Sequence, residues 1–515
     1  MPKKTHMNGE RKMMKRISLL AVAGLLALPP LAMAGGSQAD LERKINDLER
    51  QLQELKAQVQ KQDQTISKQN QAISEHGDKI ESMDTALEEK SGAWDSFASR
   101  FQFDGDFRAR GDYYKANMLF GGDQSNDTLL TNRLRLNMRV AATENVEFKG
   151  RLAMYKVWGM QSTPDGLGGG FPIFDGNTTR TPNDSALYVD RAFVNWNNIG
   201  GAPVWFSIGR RPTTDGPPAQ IRMDSDERLA TPVAYMDYPF DGLTLGYAYD
   251  WGINALGSGR IRFCYGRGFE NGLQGDGNPL WKDDTDFAGF NWDVFQQGSR
   301  FLNIQLFGAF NLFNYPTFSS DMVRYGAPSV YGNQANVGNI YHLSGVYMAK
   351  FSNLNYFISG GWSRTDPNEH GMFNDYVSAT PVNTDSENGY SVYAGVRYDI
   401  DSIGLKLGAE YNYGSQYWIS FSPGHDDIYM SKLATRGSVY ELYLLYDLPT
   451  GAAISKYAKT FVRLGWQHYD YNYSGYFDWN MKPYDLDSER AQLQMMKQNP
   501  VESADQVYLT FEVRF

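Results

Sequence analysis

The residues of this chain best placed to do chemistry are arginines spaced two apart. Asp104, Asp106, Arg108, Arg110 and Asp112 fall at alternating positions in one stretch, Arg133, Arg135 and Arg139 share a face in the next, and Glu147, Lys149 and Arg151 in a third. Side chains on a strand alternate between its faces, so each set shares one face, opposite Phe101, Phe103, Phe107 and Tyr113 or Leu134, Leu136, Met138 and Val140. Such charges are too costly to hold in lipid, so their register requires a polar, wet interior. Arg211, Arg260 and Arg262 extend the wall. The chemistry is electrostatic, a basic stripe that sets the field where solutes pass. A competing reading pairs these arginines with Asp104, Asp106 and Glu147, so that they merely fill the lumen. The connection from Pro212 to Asp241 supplies counter-charges: folded inward as a constriction loop, Asp215, Asp224, Asp226 and Glu227 would face the guanidinium groups across a transverse field, with Arg222 and Arg228 interleaved.

Other chemistries fare poorly. His342 and Ser344 share a strand face, but no G-x-S-x-G elbow accompanies them, so no enzyme activity is expected. A haem conduit would need C-x-x-C-H, whereas Cys264 is the single cysteine and reads as a small filler in a strand. Asp123, Asp127, Asp175, Asp184, Asp283, Asp284, Asp286, Asp426 and Asp427 lie in or beside long loops without calcium-loop spacing, and solvated loop chemistry is the expectation. Neither a metal nor a cofactor is expected.

The elements that position the arginines are short and repeat to the end of the chain. The last eleven residues alternate Val507, Leu509, Phe511, Val513 and Phe515 with Tyr508, Thr510, Glu512 and Arg514. The same pattern gives sixteen strands: 101–114, 132–143, 147–158, 186–197, 203–211, 242–251, 260–269, 286–297, 301–313, 340–351, 354–365, 388–400, 403–415, 437–448, 459–473 and 505–515. Strands of about ten residues suit a tilted crossing of a bilayer. Long connections follow the odd strands, beginning with 115–131, and short ones follow the even strands. A membrane barrel has this asymmetry and a soluble sandwich does not. The composition agrees, with 33 Tyr, 29 Phe, 11 Trp and 51 Gly.

The amino terminus supplies an address. Basic residues precede the apolar run Ile17–Leu28 and the small-residue site Ala32-Met33-Ala34, which reads as a signal peptide over 1–34. Cleavage removes six basic residues and one acidic one, leaving 43 against 58, a net charge of −15 that argues against nucleic acid as a partner. Within 35–92, Ile45, Leu52, Val59, Ile66, Ile73, Ile80 and Leu87 recur every seventh residue, with Leu41, Leu48, Leu55, Gln62, Gln69, His76 and Met83 in the second seam. This is the pattern of an α-helical coiled coil. The expected whole is an all-β transmembrane barrel of 16 antiparallel strands over 93–515, preceded by that coiled coil.

The order of signal peptide, coiled coil, sixteen strands and terminal Phe515 resembles proteobacterial outer-membrane porins. The stretches VDRAFVNW, WFSIGRRPTTDGPP and FDGLTLGYAYD, between residues 189 and 250, resemble more specifically a domain-of-unknown-function family regarded as porins with an amino-terminal coiled coil. The resemblance implies that the loop after the fifth strand, Pro212 to Asp241, enters the pore. Phosphate-selective porins also carry a coiled coil and a basic lumen, but the acidity of the mature chain departs from their pattern. The expected function is passive diffusion of small hydrophilic solutes or ions across the outer membrane, by a homotrimer in lipid and lipopolysaccharide, its coiled coil in the periplasm and able to reach peptidoglycan. The alternative is a structural anchor that tethers the envelope through the coiled coil, with a plugged barrel.

Overall fold

The computed structural model describes residues 38–160, 182–211, 216–225, 235–273, 283–314, 335–422, 427–475 and 479–515, with backbone alone for 84–97. The expected signal peptide, Asp215, Asp226 and Glu227 lie outside the described residues.

The first unit ends at Asp95 and the second begins at Ser96. A single helix, α1, spans Gln38–Ala98. Its 61 residues correspond to about 90 Å at 1.5 Å per residue. Leu41, Ile45, Leu48, Leu52, Leu55, Val59, Ile66, Ile73 and Ile80 are all exposed along it. An apolar stripe of that length is left in water by one chain alone.

The second unit is a closed antiparallel barrel of sixteen strands, each paired with its sequence neighbours and the first with the last. The strands are β1 (Phe101–Met118), β2 (Asp123–Ala141), β3 (Val146–Val157), β4 (Tyr188–Trp196), β5 (Val204–Arg211), β6 (Phe240–Asp250), β7 (Ser258–Phe269) and β8 (Thr285–Gln297). They continue as β9 (Arg300–Asn314), β10 (Ala335–Phe351), β11 (Leu354–Pro367), β12 (Asn388–Ile400), β13 (Leu405–Gly414), β14 (Gly437–Asp447), β15 (Lys459–Tyr471) and β16 (Val501–Arg514). The last strand closes on the first through Asp106↔Arg514, Arg110↔Thr510 and Ala116↔Ala504. The amphipathic end of the chain is therefore the seam that abolishes both sheet edges.

One expected connection is corrected. Residues 115–131 do not form a long loop, because β1 and β2 pair through Asn117↔Asp123 and leave only 119–122 between them. Here the outward face of β1 and both faces of β2 are polar, with Lys115, Asp123, Gln124, Ser125 and Asn126 exposed, so the alternation that marks a strand in lipid fades while the backbone pairing continues and Tyr114 and Ala116 stay buried inside. The fourteen-residue β16 likewise starts before the expected 505.

The pleat separates two environments. Outward side chains include Leu136, Leu152, Val194, Ile208, Leu245, Phe290, Leu306, Val392, Leu442, Leu464 and Leu509, all exposed. Even strand number puts both ends of the barrel chain at one rim, and there Phe103, Trp196, Tyr247, Phe351, Tyr398, Tyr446 and Phe515 face outward. Tyr341, Tyr390, Tyr411 and Tyr440 lie toward the other rim, so two aromatic belts bracket the apolar band. The inward positions are charged, amide-bearing or aromatic. Large inward side chains are accommodated by glycines: a Cβ on Gly465 would come 2.2 Å from the ring of Tyr508. Tyr508 in turn donates from its hydroxyl to Glu441 at 2.5 Å. Gly465→Val is expected to displace Tyr508 and cost about 1–3 kcal/mol, read as a lowered Tm of the detergent-solubilised barrel by far-UV circular dichroism; Gly77→Ala in the helix, where a Cβ meets nothing within 4 Å, should leave it unchanged.

Candidate functional site

The inner wall of β1–β3 carries most of the arginines singled out from the sequence, with Arg211 on β5 and Arg260 and Arg262 on β7. Asp106 accepts from Arg133 at 3.1 Å and from Arg135 at 2.7 Å. Arg110 holds Asp112 at 2.7 Å, and Gln506 donates to the same carboxylate at 2.7 Å. Arg108 donates to the Tyr155 hydroxyl at 3.0 Å. Arg139 and Lys149 share Glu147, at 2.6 and 2.7 Å. Arg151 pairs with Asp190, and Arg262 reaches Asp293 at 3.3 Å. Arg108, Arg110, Arg133, Arg135, Arg151 and Arg262 are buried, whereas Arg139 is about half exposed near the rim that carries the chain ends. Pairing with Asp106 and Glu147 is thus present, and Asp112, Asp190 and Asp293 complete it. Alternation had put the charges on one face; it could not say that the partner of Arg151 lies on the next strand, after a long connection.

The connection after β5 crosses the barrel. β5 and β13 are eight strands apart in a closed sheet of sixteen, hence on opposite walls. The short helix α2 (Ala219–Arg222) nevertheless ends against β12–β16. Its side chains bond there: Arg222 donates to Glu441 at 3.1 Å and to Asp427 at 3.3 Å. Asp224 accepts from Lys406 at 2.7 Å, Lys459 at 2.7 Å and Arg397 at 3.1 Å. Its backbone bonds there as well. The Arg222 carbonyl accepts from Arg463 at 3.0 Å, the Met223 carbonyl from Arg514 at 2.5 Å and the Asp224 carbonyl from Arg514 at 2.8 Å, while Arg397 takes the Ile221 carbonyl. Four successive carbonyls at a helix carboxy-terminal end are therefore capped by cations, that of Ile221 in addition to the Asp224 backbone N–H.

This geometry alters the expected field. Asp224 does not face Arg108, Arg133 or Arg135; it neutralises a second basic set, Arg397, Lys406 and Lys459, that sequence reading passed over. Those residues do sit at inward positions of β12, β13 and β15, and that alternation was the available signal. Asp427, grouped by sequence with outer loops, is buried in the lumen between Arg222 and Gln467, which donates to it at 2.8 Å.

A second connection, between β13 and β14, also turns inward. Trp418 is buried, donates its indole N–H to the Leu433 carbonyl at 2.8 Å and packs 5.1 Å from Tyr235. It lies where a Cβ on Gly361 would come within 2.3 Å. Phe421 reaches Phe287 and Phe307, at 5.4 and 5.6 Å. His342 stacks on Phe307 at 4.9 Å with Ser344 two residues along the same wall. Lys432 bonds Glu441 at 2.5 Å and also pairs with Glu410. Among the described residues, no group of three His, Cys, Asp or Glu side chains is placed to hold a metal ion.

Together these features define a closed sixteen-strand antiparallel barrel with an apolar outside, a charged lumen and two connections folded into it. Residues 123–515 match a family described as protein of unknown function (DUF3373), and the chain belongs to that family. No curated protein matches it. Among solved structures, OmpT of Vibrio cholerae in trimer form is 10% identical at a TM-score of 0.40, covering 81% of this chain and 99% of that one. OmpF of Salmonella typhi in complex with daunomycin is 10% identical at 0.41, covering 81% and 99%.

The clamp on α2 sets a pH expectation. Burial raises the Asp224 carboxyl, but Lys459 and Lys406 outweigh it and hold the group down at about 2. Released from the wall, the same carboxyl would titrate at about 3.9. A depressed folded value means that docking is fully favoured above about 3.9 and is lost as pH falls toward 2. Intrinsic fluorescence or single-channel current should therefore be flat from pH 8 to about 4 and change only below it. In Asp224→Asn that acid transition should be absent, and the loop should already be loosened at pH 7.

Proposed function

We propose that the protein is an outer-membrane channel for small hydrophilic solutes or ions, narrowed by the segment 216–225. The observation that carries this reading is the strict segregation of the wall: charged residues at inward positions on both sides of the lumen, an apolar band with aromatic belts outside. Charges carried at inward positions on both sides of a barrel are stable only where water or fixed counter-charges reach them. Entry would be from the loop side, and Lys149, Arg139, Arg260 and Lys350, all partly exposed, would line the opposite mouth. Transport would be driven by the solute gradient, with no catalysis and no cofactor.

A second reading is favoured by the inward connections. Arg222 and Glu441 have side chains 2% and 0% exposed, and a lumen filled to that degree could belong to a plugged barrel whose task is to anchor α1. Purified protein in planar bilayers separates the two: a channel gives steady current, with a reversal potential in a salt gradient that reports charge preference, and a plug gives none. Glu441→Ala removes the shared partner of Arg222 and Lys432. Breaking a buried pair in this way costs about 3–5 kcal/mol, so this variant should loosen α2 and raise single-channel conductance; an unchanged conductance would count against α2 as the constriction.

The assembly proposed is a homotrimer in the outer membrane, with α1 in the periplasm and its apolar stripe closed in a coiled coil able to approach peptidoglycan. Replacing Ile45, Leu52, Val59 and Ile66 together by Asn should lower the mass of the full-length protein by sedimentation in detergent, or leave a barrel trimer with α1 unpaired and rapidly proteolysed. A monomeric wild-type protein would remove this part of the proposal.

A further inference from the structure

The wall of β5–β9 differs from its neighbours in one respect. Arg110, Arg133, Arg135, Arg151 and Arg262 each hold a carboxylate, whereas Arg211, at the end of β5, holds none among the described residues. Its described neighbours include the Phe193 ring, 5.9 Å from the guanidinium carbon, the Cys264 thiol and the Arg262 guanidinium, and its Nη1 is buried without a hydrogen-bond partner among the described residues. A guanidinium nitrogen withdrawn from solvent with no described carboxylate to meet it is costly.

Arg211 borders a recess of about 80 Å³. Met236, Phe240, Phe287 and Phe307 contribute apolar lining, and Thr244, Asn291 and Gln305 contribute polar side chains. Phe240 and Phe287 lie 4.6 Å apart and Phe421 from the β13–β14 connection closes on Phe287, so the aromatic side is rigid. Gly289 gives the recess depth, since a Cβ there would come 2.5 Å from that of Phe307.

We propose that this recess binds a small monoanion with an apolar body, an aromatic or short aliphatic carboxylate. The carboxylate would lie on Arg211, where two parallel N–H donors match its geometry, and the hydrocarbon would lie against Phe240, Phe287 and Phe307. The volume confines the occupant to a small molecule, and the single unpaired cation sets its charge at −1. The site deepens the channel reading by naming a class of solute, and the recess must then be reachable from the lumen.

Benzoate is the probe. Titrated calorimetrically into the full-length protein in detergent, it is expected to bind once per chain, and at least tenfold more weakly to Arg211→Gln. Benzyl alcohol, which has the ring without the charge, and chloride, which has the charge without the ring, should each bind at least tenfold more weakly than benzoate. Cys264 lines the recess and is the single thiol of the chain, so an anionic methanethiosulfonate should label it in the wild-type protein and benzoate should slow that labelling at least tenfold. This second measurement needs no variant to fold. Equal affinity in wild type and Arg211→Gln, chloride as strong as benzoate, no labelling of Cys264, or labelling unaffected by benzoate would each overturn the site. Calorimetry needs no current: binding to a barrel that does not conduct would keep the recess and remove the channel, and a conducting barrel that ignores benzoate would do the reverse.

Discussion

The interior of this barrel is organised by the capping of one helix end. α2 is a single turn, far too short to be stable alone, yet it lies against the wall opposite the strand it leaves. What holds it is the concentration of cations at inward positions of β12, β13, β15 and β16 against four consecutive carbonyls and the Asp224 carboxylate. The pairing works both ways. Without the connection, Lys459 would lose its Asp224 partner, and Arg397, Lys406 and Arg514 would each keep only a wall carboxylate, Asp399, Asp447 and Glu512, on a crowded basic wall that a low-dielectric interior tolerates poorly. Without those cations, the carbonyls of Arg222, Met223 and Asp224 would lose their partners.

Arg222 extends the same logic in the opposite sense. It carries positive charge from the connection into the acidic pocket of Glu410, Glu441 and Asp427, where Lys432 from the β13–β14 connection adds a second cation. Two infolded segments thus meet on one carboxylate, Glu441, which Tyr508 of β16 also bonds. The segments are tied to each other as well as to the wall, and the aromatic contacts of Trp418 and Phe421 seal the joint on the β8–β11 side.

Much of the fold was legible because lipid imposes a strict rule on one face. Where strands cross the apolar band, period-two alternation is forced, and all sixteen were found from it, down to the inward set Arg133, Arg135 and Arg139. Where the ladder runs beyond the band, as in Lys115–Met118 and Asp123–Asn126, the outward face is polar as well, the rule lapses and the sequence reads as a loop. The lumen was less legible for a different reason. Its contacts join residues far apart in the chain: Asp224 to Lys406, Arg222 to Glu441, Arg514 to Met223. A sequence pattern states which residues face inward on each strand, but not which wall a connection will reach. Reading the basic stripe only on the first strands therefore missed the second cationic wall, although its spacing was equally visible.

The two walls now have distinct physical roles. On β12–β16, cations are taken up by backbone carbonyls, by Asp224 and by the wall carboxylates Asp399, Asp447 and Glu512, so that side is the seat of the infolded segment 216–225. On β1–β4, each guanidinium is matched by a strand carboxylate or a phenol, which leaves polarity but little net field. The transverse field expected between an acidic loop and a basic wall is thereby largely cancelled within each wall. Selectivity in such a lumen would arise from local exceptions to that cancellation rather than from net charge. Along the described wall Arg211 is such an exception, a cation beside aromatic rings where its neighbours have carboxylates.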